Sequence, residues 1–351
     1  MRVHVVANHA SIGGGEVMVL RTAHALRELG YHPLVVCPSE PCDLAVAAEA
    51  EGLPVQTLQG REDTLRYLID VRVWSARHRR ELMWCHGLRP SLALCGRNRR
   101  FVHLHQSPAP RHRWLACAAR WKASRTYVPS SFMARDIPGS HVLYNWTHDV
   151  PPPVLDPVDS RAQRRPFTFT FLGRITRAKG VEVLLQAYTQ LIRGLDAPQG
   201  VQLVVAGEST FVDRAEATEL SQLLAQTPRA HGIGWSDTAE VLAGTDALVC
   251  PSIAPESFGL VAAEAMAAGV PVISSDAGGL PEVLGPNHPL ITPAADSTAL
   301  THAMERMLYM PAGERADLVV AQRQRWQRCW SVQAGTARVA QAMIPTASGR
   351  G

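Results

Sequence analysis

Two carboxylates, Glu256 and Glu264, stand eight residues apart in the stretch Pro255-Glu256-Ser257-Phe258-Gly259-Leu260-Val261-Ala262-Ala263-Glu264. With Ser257 as N-cap and Gly269 as the C′ residue, Glu256 falls in the turn beside the free backbone N–H groups of Phe258, Gly259 and Leu260, and Glu264 about two turns inside the helix. A helix N-terminus with a glycine permitting close approach is an anion site. A phosphate held there would leave Glu256 next to whatever the phosphate carries. Glu264 would meet another part of the same ligand if that ligand folded back along the helix, as a sugar nucleotide does. Spacing alone leaves a blander account standing, because two glutamates on an Ala-rich helix are also the pattern of a solvated face.

Cations of matching chemistry occur in Gly173-Arg174-Ile175-Thr176-Arg177-Ala178-Lys179-Gly180. Only two of the 35 basic residues are lysines, Lys122 and Lys179. Arg174 and Lys179 flank a strand-to-helix turn, where two fixed cations can neutralise a diphosphate and stabilise it as a leaving group. The other account is ordinary solvated loop charge. His105 closes the expected strand Phe101–His105. Alternation turns His103 and His105 the same way, and only His105 reaches the carboxyl edge where a ligand would lie. His86, at the end of the preceding strand, is a second candidate, and both histidines are also plain hydrogen-bonding residues. Gly13-Gly14-Gly15 follows a strand at residues 3–9 and lets backbone approach a ligand, or simply makes a tight turn. It is not G-x-G-x-x-G, which weakens a dinucleotide reading.

These residues need elements to hold them. Apolar runs at 33–37, 55–58, 81–85, 101–105, 125–128, 141–144, 167–172, 201–206, 247–250 and 270–274 alternate with helical stretches, among them Val17–Leu29, Val181–Leu195, Ala215–Gln226 and Val332–Met343. Such alternation predicts parallel, doubly wound α/β sheets with ligands at the carboxyl strand ends. Leu65, Leu68, Ile69 and Val73 are expected to pack on the first sheet. Proline-rich 149–157 ends regular structure.

The segment Pro255–Gly259, followed by Glu264-Ala265-Met266-Ala267 and Gly269-Val270-Pro271-Val272 through Gly278-Gly279-Leu280-Pro281-Glu282-Val283, resembles the signature of the retaining GT-B glycosyltransferases of family 4 (glycosyl transferases group 1). Gly-Arg-x4-Lys-Gly is that family's phosphate-binding pattern. The resemblance is strong over 167–285, moderate over 3–30 and thin over 40–165. It implies two Rossmann-like domains facing a central cleft: an acceptor-binding domain at 1–145, a nucleotide-sugar domain at 146–329, a helix at about 330–344 packing back on the first, and a disordered tail at 345–351. It implies further that Glu256 and His105 serve the reaction centre. Gly14, Arg174, Lys179, Phe258, Gly259, Leu260 and Glu264 would hold the donor, and Ile233, in Ala230–Trp235, would lie where backbone groups grip the nucleobase. Asn145-Trp146 departs from the family's interdomain segment.

At 351 residues and 46% hydrophobic the chain can bury two cores. No apolar run is long enough to span a bilayer, and the N-terminus has no leader pattern, so a cytoplasmic protein is expected. Seven cysteines without a C-x-x-C pair read as buried thiols. Residues 1–145 carry 19 basic against 11 acidic side chains (net +8) and residues 146–351 carry 16 against 20 (net −4). The arginine clusters at 77–80, 97–100 and 111–113 suit helix ends or, more sharply, an acidic acceptor or the inner face of a membrane. No Asp-x-Asp pair occurs, so no metal or other cofactor is expected at the diphosphate. The expected partners are a nucleotide diphosphate sugar and an acceptor hydroxyl on a sugar, a lipid-linked precursor or a small molecule, with no nucleic acid. A catalytically silent nucleotide-binding subunit and a nucleotide-sugar epimerase of the same fold are the alternatives. Donor base, sugar and acceptor are not written in these residues.

Overall fold

The structure is a computed structural model that describes residues 1–61, 65–108, 113–150, 165–209 and 212–344. Arg111 and His112, most of the proline-rich segment and the tail expected to be disordered lie outside the described residues. The chain divides into two compact units, Met1–Trp146 together with the chain from Val332 onward, and Thr147–Ser331.

The first unit is built on seven strands: β1 (Arg2–Val6), β2 (His32–Glu40), β3 (Val55–Arg61), β4 (Leu82–His86), β5 (Arg100–His103), β6 (Arg125–Val128) and β7 (His141–Val142). They lie in the order β3-β2-β1-β4-β5-β6-β7, all pairings parallel. Val3, Val5 and Val6 of β1 are fully buried, and all five residues of β4 are buried, because helices cover both faces of a parallel sheet. Several expected ends move, among them that of the strand expected at residues 3–9, which stops at Val6. The first helix runs Gly14–Glu28, three residues earlier than its apolar period indicates, since glycines start a helix without adding to that period. β5 stops at His103, so His105 stands two residues beyond the strand.

Helix Leu65–Arg77 meets the packing expectation at Leu68, which lies against the core, and reverses it at the other three residues. Tyr67, Val71 and Ser75 face inward, whereas Leu65, Ile69 and Val73 are 76%, 59% and 51% exposed. Both sets repeat every fourth residue, and the stripe carrying the large aromatic took the inside, where the Tyr67 hydroxyl donates to Ala7 O at 2.7 Å. Part of the arginine excess is structural. Arg100 is fully buried and donates to Ala119 O at 2.6 Å and Trp121 O at 2.9 Å. Arg97 donates to His78 O and Glu81 O, each at 2.7 Å.

Helix Val332–Met343 packs on helix Gly14–Glu28, and Thr336 Oγ1 donates to Glu28 at 3.0 Å. Trp146, 1% exposed, fills the notch opposite Gly335 and accepts from Arg21 through its carbonyl. A Cβ on Gly335 would lie 2.2 Å from the indole. Gly to Ala inside a helix ordinarily stabilises by up to about 1 kcal/mol. At Gly335 the collision reverses the sign, and Gly335→Ala is expected to cost about 2 kcal/mol or more. Urea unfolding checks this; an unchanged or raised midpoint would refute the packing.

The second unit carries six strands: β8 (Phe167–Leu172), β9 (Val201–Ala206), β10 (Ala230–Gly234), β11 (Ala247–Cys250), β12 (Val272–Ser275) and β13 (Ile291–Thr292). Their order is β10-β9-β8-β11-β12-β13, again all parallel. Helix Val181–Arg193 buries Leu184, Leu185, Tyr188, Leu191 and Ile192 against β8, β9 and helix Ser297–Leu308, as its 3.6-residue period requires. Among the described residues no helix is long and apolar enough to cross a membrane.

Candidate active site

In each sheet the strand order reverses direction once, between β1 and β4 and between β8 and β11. At such a point the loops leaving the two strands diverge, and doubly wound sheets bind ligands at their carboxyl ends there. Apart from Ile233, on the edge strand β10, the residues singled out above collect at these two forks.

At the fork of the second unit, the turn after β8 is fastened to the turn after β11. The N–H groups of Ile253 and Ala254 both donate to Ala178 O, at 2.9 and 3.0 Å. Gly180 adopts φ +75° and lies so close to Pro251 that a Cβ would stand 1.8 Å from its carbonyl oxygen. This contact carries Lys179 to Glu256: Nζ donates to Oε1 at 2.6 Å, with the side chains 30% and 18% exposed. Ser252 Oγ donates to the same carboxylate oxygen at 2.5 Å, and Ser275 Oγ donates to Ser252 O at 2.6 Å. The main chain of Glu256 is held as firmly, forming a parallel bridge with Gly278 and accepting from Gly279 N–H at 2.7 Å. A half-buried carboxylate with a lysine and a hydroxyl on one oxygen is held in one orientation.

Ser257 is not the N-cap. That place belongs to Gly259, at φ +109° with no side-chain cap, and the helix runs Leu260–Ala267. The Gly278-Gly279 backbone passes against residues 256–258, a Cβ on Gly279 meeting Ser257 O at 3.0 Å, and this holds the chain out of the helix for two more residues. The helix end is the expected one: Gly269 N–H donates to Met266 O at 3.3 Å and Val270 N–H to Ala265 O at 2.9 Å, a Schellman closure. Glu264 therefore sits at the start of the second turn, about 6 Å along the axis from Leu260, and is half-buried. Phe258 is buried, its ring edge-on to Trp330 at 5.2 Å and 84°, so its side chain belongs to the core and only its backbone faces the turn.

Arg174 is exposed in the turn after β8. Its neighbour Arg177 is occupied elsewhere, paired with Glu182 at 3.0 Å and also with Glu219. Ile233, 46% exposed, lies at the carboxyl end of β10, and Trp235, 77% exposed, follows it. Sequence reasoning missed Ser252 and Ser275. Neither has a spacing signal, and both enter only because Glu256 folds back over the ends of β11 and β12.

At the fork of the first unit, Asn8 Oδ1 accepts from Arg89 N–H at 3.0 Å, and Gly87, at φ +98°, passes against Asn8. Gly14 is the first residue of its helix and exposed. A Cβ on Gly15 would stand 3.4 Å from the His105 ring. His86 Nδ1 and His105 Nε2 share a hydrogen bond of 2.9 Å. His105 is lowered from 6.5 to about 4 by burial. His86 and His103 are held well below 6.5, first by burial and then by the neighbouring imidazoles. In the second unit His288 is likewise lowered to about 4 by burial. The unfolded chain takes up protons at these positions as pH falls through 6.5, whereas the folded protein resists to about pH 4 or below. Between those values the unfolded state binds more protons, so stability falls on acidification, by about 1.4 kcal/mol per pH unit for each such imidazole. A melting temperature that stays flat between about pH 7 and about pH 5 would contradict this.

Comparison with known proteins agrees with this architecture. Residues 12–143 match the family described as Glycosyltransferase Family 4, and residues 166–309 the family described as Glycosyl transferases group 1. An uncharacterized glycosyltransferase of Methanocaldococcus jannaschii, MJ1607, is 38% identical over 117 residues, 32% of this chain and 28% of that protein. The phosphatidyl-myo-inositol mannosyltransferase of Mycobacterium leprae is 33% identical over 160 residues, 42% of this chain and 41% of that protein. The chain thus spans about a quarter to two-fifths of the length of these curated relatives. Among solved structures, Anabaena Alr3699/HepE in complex with UDP-glucose superposes with a TM-score of 0.82 at 20% identity, covering 98% of this chain and 99% of that one. With family domains matched in both halves and the fold of a GT-B protein throughout, the chain belongs to the family 4 (group 1) glycosyltransferases.

Proposed function

We propose that the protein transfers a sugar from a nucleotide diphosphate sugar to an acceptor hydroxyl with retention of anomeric configuration and without a metal ion at the diphosphate. The observation that carries this reading is the cluster at the second fork: Lys179, Glu256 and Ser252 joined at 2.5–2.6 Å beside a helix N-terminus whose cap, Gly259, offers no side chain. In this reading the backbone N–H groups of Phe258, Gly259 and Leu260 receive a phosphate. Lys179 and Arg174 balance the charge that develops as the bond from the anomeric carbon to the diphosphate breaks. Glu256, fixed by Lys179 and Ser252, accepts from donor-sugar hydroxyls, and Glu264 from the ribose. Ile233 lies beside the nucleobase. Gly14 and His105, in the first unit, keep the donor-phosphate and donor-sugar contacts that the family resemblance implies.

Retention follows if the acceptor oxygen bonds to the anomeric carbon on the face the diphosphate leaves, with the departing phosphate oxygen taking the acceptor proton. Support for the donor class comes from the Anabaena protein of the same fold, whose structure is a complex with UDP-glucose. The acceptor is a hydroxyl compound, either an envelope glycan or lipid-linked precursor or a small metabolite; pelleting with anionic liposomes at low and high salt separates these.

The deciding experiment is a thermal-shift and calorimetric panel of UDP, GDP, ADP and dTDP on the wild type and Glu264→Ala. One nucleotide should stabilise the wild type and lose most of its effect in the variant, a loss of about tenfold or more in affinity for a charge-assisted bond. Stabilisation by none of them would overturn the reading. Nucleotide binding without transfer to any acceptor would indicate a silent binding subunit, and sugar interconversion without an acceptor an epimerase. An inverted product by NMR would remove retention alone.

A further inference from the structure

The apolar stripe that helix Leu65–Arg77 turns outward has company. Leu65, Ile69 and Val73 are spaced four residues apart, so they form one row on the exposed side of that helix. Trp114, in helix Arg113–Arg120, and Trp121, directly after it, are 66% and 59% exposed. Helix Leu88–Ala93 packs against both of these helices. Arg72 Nη1 donates to Ala93 O at 3.3 Å and to Cys95 O at 2.9 Å, and Gly96 N–H donates to Trp121 O at 3.1 Å. The row and the tryptophans are therefore fixed on one layer of the first unit.

The charge of this layer has one sign. Residues 65–125 carry 14 Lys+Arg and two acids, Asp70 and Glu81, and Glu81 is bonded to His4. Arg97 and Arg100 are engaged with backbone carbonyls inside the unit, and Arg125 donates to Ala342 O and Ile344 O. Arg66, Arg77, Arg80, Arg99, Arg113 and Lys122 are exposed. At 3.6 residues per turn, Arg66 and Arg77 run along one margin of the apolar row and Arg72 along the other. Single exposed apolar residues are ordinary, but five large ones on one basic layer mark a contact surface.

We propose that this layer, helices Leu65–Arg77 and Arg113–Arg120 with the turn that carries Trp121 and Lys122, docks on the anionic surface of a phospholipid bilayer. A soluble polyanion would use the charge and leave Ile69 and both indoles in water. A bilayer uses both: guanidinium groups reach the phosphate headgroups on their long stems, while the apolar row and the indoles enter the interface. Among the described residues no helix is long and apolar enough to cross a membrane, so the contact lies along the surface. Each cation held near an anionic surface contributes about fivefold to partitioning, an effect that salt screens. The inference concerns the first unit alone and does not rest on the transfer reading.

The test is co-sedimentation of the full chain with phosphatidylcholine vesicles, with and without phosphatidylglycerol, at low and high salt. Expected is binding to the phosphatidylglycerol vesicles at low salt that falls at least tenfold on pure phosphatidylcholine or at high salt. Ile69→Asp and Trp114→Ser should each weaken binding by about tenfold or more. Val320→Asp, at a 52% exposed residue of the second unit, makes the same change of charge elsewhere and should bind as the wild type does. Circular dichroism establishes that each variant is folded. Where Ile69→Asp does not fold, Leu65→Asp, at the more exposed end of the row, carries the same prediction. No binding by the wild type, equal binding to neutral and anionic vesicles, or equal weakening by Val320→Asp overturns the proposal, as does capture by an acidic protein in place of vesicles. None of these failures touches nucleotide binding by the second unit.

Discussion

Lys179→Met is expected to lower transfer, read as kcat/KM for the donor, by about a thousandfold while leaving a folded protein. The ammonium group stands 2.6 Å from Glu256 Oε1, and in the proposed reading it balances both that carboxylate and the leaving diphosphate. Without it, a fixed negative charge faces an incoming one, and the transition state, where the diphosphate gains charge, loses more than the bound ground state does. The fall should therefore appear mainly in kcat. Lys179→Arg keeps the charge but brings a planar fork to a site built for a point charge, and an intermediate loss is expected. The stability cost should be only about 1 kcal/mol, since the pair is partly solvated. A loss of less than tenfold would mean that Lys179 only anchors a turn.

The second large effect is on folding. Gly180→Ala should destabilise the second unit by about 3–5 kcal/mol, enough to leave little soluble protein. The added carbon would meet Pro251 O at 1.8 Å, at φ +75° where side chains are already disfavoured. The obstacle is backbone, so no rotamer change relieves it, and the two turns that join Lys179 to Glu256 would have to separate. Gly200→Ala is the matched control, with nothing among the described residues within 4 Å of its added carbon. Equal melting temperatures for the two variants would show that the turns do not approach as described.

Buried parallel strands are nearly continuous apolar runs, which is why β8, β9 and β11 were readable to the residue; helix Val332–Met343 also lies where it was expected. What sequence could not reveal depended on contacts between distant segments. Lys179 and Glu256 are 77 residues apart and meet only because β8 and β11 are neighbours. Ser257 lost the cap to Gly259 because another loop passes against it, a matter of space rather than propensity. On helix Leu65–Arg77 two stripes share one period, and no local rule ranks them. His103 was readable as sharing a face with His105, but its place beside His86 needs the β4–β5 register.

The helix that seats Gly335 over Trp146 lies at the far end of the chain from the sheet it completes. The second unit is one continuous stretch, Thr147–Ser331, whereas the first is made of two pieces. During synthesis domains usually close in the order in which they emerge. Here the unit that starts first must finish last: until the ribosome has released the residues beyond Val332, helix Gly14–Glu28 and Trp146 lack their cover, while the second unit already has all of its chain. Cutting the chain before Val332 would therefore damage the first unit and spare the second.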